Sequence, residues 1–167
     1  FVLHFGSYGG YPVRWAYLVL GFGGAFLFYT GNQLWIMARQ RRERATGLVS
    51  ETRGSRILSS LTIGCTTGCM TGIAAIITFA AIVHTPMAYT PVALIYYTTF
   101  LLCTLLAFIL PTQSKAQVLF CLAALSHIAL TMAALTRGLS LGDDTSFIAA
   151  ALAFILALLF FMVAKKR

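Results

Sequence analysis

The sequence is poor in charge, and poorest in acid. Of its 167 residues only 16 are charged, 12 Lys or Arg against four Asp or Glu, while 59% are hydrophobic. A soluble domain carries about a quarter charged residues and about half apolar ones, so this composition cannot cover a surface turned to water on all sides. A soluble globular fold is excluded. From Ile57 to Ser114, 58 consecutive residues contain no Asp, Glu, Lys or Arg. One membrane helix needs roughly 20 apolar residues, and this stretch accommodates two.

Other absences narrow the chemistry. The four cysteines, Cys65, Cys69, Cys103 and Cys121, lie inside apolar runs and form neither a disulfide framework nor a zinc pattern. Within the spans we expect no carboxylate pair and no buried Lys or Arg, which leaves an ion pump or proton relay little to work with. No Ser or Cys has an evident base and carboxylate partner for acyl transfer. No Gly-x-Gly-x-x-Gly follows a strand, so the chain itself is not expected to bind a dinucleotide.

What is present reads as helix. Uninterrupted apolar stretches predict spans at about 13–38, 57–83, 92–110, 116–136 and 145–164. The fold class is therefore all-α, a polytopic membrane bundle of about five transmembrane helices after an external segment, 1–12. Pro12 suits a first helical turn, Pro86 and Pro91 bracket the connection between the second and third spans, and Pro111 ends the third.

The basic residues sort by side. Arg39, Arg41, Arg42, Arg44, Arg53, Arg56, Lys115, Lys165, Lys166 and Arg167 fall on one side; only Arg14 and Arg137 fall on the other. The positive-inside rule then places the first loop and the C-terminus in the cytoplasm. Trp15 and Trp35 are 20 residues apart, roughly 30 Å along a helix, which sets one at each interface of the bilayer. The arginine cluster reads as an orientation signal and a contact for anionic lipid, with docking of a cytoplasmic partner as an alternative. Nucleic acid is not expected as a partner. Five spans starting outside, in a chain that opens at Phe1 without a signal-peptide pattern, lead us to expect a longer parent protein.

Three histidines remain as the chemical candidates: His4, His84 and His127. A neutral imidazole can bind metal in a low-dielectric site without the cost of a buried charge. His127 follows Lys115 by 12 residues and precedes Arg137 by 10, so it lies roughly 18 Å and 15 Å from those markers, near the middle of the bilayer. A hydrogen bond to a neighbouring helix is its alternative role. His84 ends the second span beside Thr85 and Pro86, and His4 precedes the first span; both belong near the outer surface. Gly64, Gly68 and Gly72 recur every four residues on the second span, and the first span carries Gly24 and Gly31. Such smooth faces serve close helix packing or the approach of a flat macrocycle. Cys65 and Cys69 read as small packing residues, and Asp143 and Asp144 as turn or cap residues.

The first 42 residues carry a family likeness. Leu3-His-Phe-Gly-Ser-Tyr-Gly-Gly precedes Val13-Arg-Trp-Ala-Tyr-Leu-Val-Leu-Gly, followed by Tyr29-Thr-Gly-Asn-Gln-Leu-Trp and Arg39-Gln-Arg-Arg. This pattern of Leu-His-x-Gly before a span, a Gly-rich helix, Thr-Gly with Trp four residues beyond the Gly, and a basic exit resembles the PepSY-associated transmembrane family, which includes siderophore-iron reductases. Asn32-Gln33 is more polar than that pattern, and the later spans match in general character only. The resemblance implies an earlier transmembrane helix and a periplasmic region in the same protein, and a bacterial inner-membrane location. It also implies haem b, more than one, held by histidines, with electrons passed to a periplasmic ferric siderophore. His4 alone carries over by motif; His84 and His127 are candidate axial ligands of the haem iron from their depth and residue type. The electron source is expected to be a cytoplasmic donor or a quinol. The alternative function is a non-enzymatic membrane subunit or transporter module in iron uptake.

Overall fold

The computed structural model describes residues 10–47, 52–83, 88–112, 114–142 and 144–165. Among them are five helices and no strand: α1 (Gly10–Ala45), α2 (Arg53–Val83), α3 (Tyr89–Ile109), α4 (Lys115–Leu141) and α5 (Asp144–Lys165). The all-α expectation holds. Four helices are long and apolar enough to cross a membrane: Arg53–Val83, Tyr89–Ile109, Lys115–Ser140 and Ser146–Lys165. With 36 residues, α1 rises roughly 54 Å and covers the first predicted span and the arginines after it.

The helix ends show why the observed bounds differ from the apolar runs. Pro91 lies in the first turn of α3 and not in the connection before it; a proline is tolerated there because first-turn N–H groups have no partner within the helix. Leu110 donates its N–H to Leu106 O before Pro111 stops α3. α4 continues past Arg137 and ends on Gly142, whose left-handed backbone (φ 62°) lets its N–H reach Gly138 O at 2.8 Å. Asp144 opens α5. His4, His84 and Asp143 lie outside the described residues.

The chain divides into two compact units, residues 1–55 and 56–167. In the first, the end of α1 is joined to the first turn of α2 through Glu43. In the second, α2 and α3 pack antiparallel along the glycine stripe. α4 runs parallel to α2, with Lys115 facing Ser60 and Arg137 facing Ala80. α5 returns antiparallel to α4: Gly138 meets Phe147 near one end, and Phe120 stacks on Phe160 at 6.1 Å near the other. Ala74 of α2, Leu130 of α4 and Ala153 of α5 meet in a buried cluster. Small side chains at such a crossing let helices approach closely.

Candidate functional site

α4 carries a cation near each end and a histidine between them. Lys115, 2% exposed, donates from Nζ to Ser60 Oγ at 3.0 Å. The fourth span was expected to begin at 116, with Lys115 in the connection before it; instead Lys115 opens α4 and is buried. A lone Lys opening an apolar helix is the sequence signal for it, but only the fold brings Ser60 alongside. Arg137 is part-buried and reaches Ala80 O at 3.4 Å from Nη1; it is a residue of α4 rather than of the following loop.

His127 is 4% exposed at the middle of α4. Its Nδ1 lies 2.8 Å from Ala123 O, one turn back. A carbonyl oxygen only accepts, so that contact places the proton on Nδ1 and leaves the lone pair on Nε2. A metal-ligating histidine has this arrangement when its second nitrogen is anchored to a carbonyl. The ring lies 5.2 Å from that of Phe160 on α5, tilted by 58°, and Ser126 Oγ lies 3.3 Å from Nδ1. Among the described residues no group of three or more His, Cys, Asp or Glu side chains gathers to hold a metal ion. A haem iron would need only one or two imidazoles, and His127 would offer one through Nε2.

The glycine stripe of α2 is closed by α3. A Cβ added to Gly64 would stand 2.9 Å from Thr104 Cα, one on Gly68 2.9 Å from Phe100 O, and one on Gly72 3.0 Å from the Tyr96 ring. These three glycines serve helix packing. Cys103 is buried, and Cys69 Sγ accepts a hydrogen bond from Tyr96 Oη at 3.4 Å; all four cysteines are free. Gly24 and Gly31 of α1 differ, since an added Cβ would meet nothing within 4 Å.

In the first unit, the Glu43 carboxylate gathers four hydrogen bonds. Oε1 accepts from Thr52 Oγ1 (2.6 Å), Ser55 Oγ (2.8 Å) and Arg39 Nε (3.1 Å), and Oε2 accepts from Thr52 N (3.4 Å). Thr52 Oγ1 also accepts from Ser55 N at 3.3 Å, the N-cap arrangement that satisfies an orphan donor of the helix start. The Thr52 hydroxyl, then Ser55 and Arg39, hold the Glu43 carboxyl at about 2, well below its ordinary 4.5. Beside this junction Trp35, Ala38, Arg39 and Arg42 line a groove of about 200 Å³, with the Arg39 guanidinium 5.6 Å from the Trp35 ring centroid. The sequence disclosed the arginines as a cluster, but not which of them share a face with a cavity. Comparison with known protein families, with curated proteins and with solved structures finds no match.

Proposed function

We propose that this chain acts in a haem-dependent membrane reductase of the PepSY-associated type, passing electrons across a bacterial inner membrane to a ferric siderophore on the outer side, with its C-terminus in the cytoplasm. The observation that supports it most is His127: buried at mid-span, with Nδ1 committed to Ala123 O and the Nε2 lone pair left to bind a metal. Haem held there supplies one-electron transfer. The chain's own part is to fix the imidazole plane through Ala123, to pack Phe160 against it, and to keep water away from a site whose polarity sets the potential. His84 and His4 are the candidates for ligands nearer the outer surface. Reduction of Fe(III) to Fe(II) weakens its hold on the hard oxygen ligands of a siderophore and frees the metal.

A second reading, a membrane subunit without a cofactor, draws support from the glycine stripe being occupied along its length by α3. The two separate on haem content. In the complete protein purified in detergent, His127→Ala is expected to lose at least half of the bound b-type haem per polypeptide while its helical circular dichroism is unchanged. Equal haem content in both proteins removes His127 from the proposal, and a colourless, folded wild type favours the second reading.

A further inference from the structure

The basic end of α1 is more than a patch of positive charge. Trp35, Ala38, Arg39 and Arg42 stand at i, i+3, i+4 and i+7 on one face of the helix, and they line the groove of about 200 Å³. We propose that this groove binds the phosphate of an anionic lipid headgroup, with an acyl chain of the same lipid lying along α1 towards Gly31 and Gly24.

Three features point to a phosphate. First, Arg39 is pre-positioned. Its Nε is held by Glu43 at 3.1 Å, its guanidinium lies over the Trp35 ring, and a Cβ at Gly54 would come within 2.8 Å of its Nη2. The guanidinium is thus confined from three directions, Gly54 being permissive because it has no side chain. Second, Arg42 lines the same groove one turn further on, and two guanidinium groups on one cavity match the oxygens of a phosphate. Third, Glu43 pairs with Arg39 at 3.1 Å, and one carboxylate against two guanidinium groups leaves the groove with net positive charge. Ala38 is the small residue between Trp35 and the arginines, and its size leaves the groove open.

Two further features select a lipid over a free anion. Trp35 is 55% exposed, and an exposed Trp favours the headgroup level of a bilayer. Gly24, Phe28, Gly31 and Trp35 continue the same face towards the apolar part of α1. Phe28 is exposed there, as is Leu27 beside it, and both glycines border open space. An acyl chain leaving the groove therefore meets a smooth apolar path.

The test uses the complete protein, stripped of lipid in detergent and titrated separately with short-chain phosphatidylglycerol, short-chain phosphatidylcholine and inorganic phosphate, with binding read by native mass spectrometry. Saturable binding of phosphatidylglycerol is expected. Arg42→Gln should weaken it about tenfold, the cost of losing one charge-assisted contact, and Ala38→Leu, which fills the groove without changing charge, should weaken it about as much by excluding the headgroup. Arg41→Gln and Arg44→Gln, off that face, should stay within twofold of wild type. Equal losses in all three arginine variants, no effect of Ala38→Leu, equal binding of phosphatidylcholine, or inorganic phosphate binding as tightly as the lipid would each overturn the proposal.

Discussion

At the scale of single residues, Glu43 shows how one acid among so many arginines is used. It does not serve as the partner of a single cation but as the acceptor that joins Arg39 of α1 to Thr52 and Ser55 at the start of α2. Its folded pKa lies below its ordinary value, so its contribution is complete above about pH 4.5 and is lost as the pH falls towards 2. Amide exchange at Thr52 and Ser55, corrected for intrinsic rates, should stay slow at pH 6 and accelerate below pH 4.5. In Glu43→Gln it should be fast at both, and a protected, pH-independent pair of amides in wild type would count against the junction. Glycines give a second contrast at this scale. Gly68→Ala places a methyl 2.9 Å from Phe100 O, a backbone atom that cannot swing aside, and should cost about 1–3 kcal/mol in thermal stability in detergent. Gly24→Ala meets open space and should instead gain up to about 1 kcal/mol of helix propensity. These glycines look alike in sequence, because the distinction lies in which helix faces each one.

At the scale of elements, α4 is tied to α2 at two points: Lys115 with Ser60, and Arg137 with Ala80 O. These contacts set the parallel register of the two helices across nearly their whole length. Ser60→Ala leaves a buried ammonium short of one acceptor and should destabilise the bundle by about 1–3 kcal/mol. Lys115→Met, which removes the charge and keeps the length of the side chain, should cost less, because apolar replacement also removes the desolvation penalty. The reverse order in thermal midpoints would show that the pair does not carry the register. The helices were legible as apolar runs, four of them long and apolar enough to span, since run length and hydropathy depend on local sequence alone. Their ends were less so. α2 starts at Arg53, before its apolar run at Ile57, because Glu43 from α1 completes a cap at Thr52; the parallel pairing of α2 with α4 is likewise tertiary and leaves no local trace.

At the scale of the whole molecule, large apolar side chains remain outside the bundle. On α3 alone Leu94, Leu105 and Ile109 are 67%, 57% and 77% exposed. In water that pattern is a liability; facing acyl chains it is the expected surface of a span, and it accords with the scarcity of charge. Membrane class was therefore legible from composition, and the position of His127 at mid-helix from its spacing between Lys115 and Arg137, where it is buried. What composition could not supply is the environment of the imidazole: the Ala123 carbonyl that fixes Nδ1 and the Phe160 ring against it come from helix geometry and from the return of α5. The most direct measurement is the absorption spectrum of the complete purified protein before and after dithionite. A b-type Soret band that shifts on reduction and an α band that appears with it are expected, both diminished in His127→Ala. A folded protein with no absorbance above 350 nm in either state would contradict it.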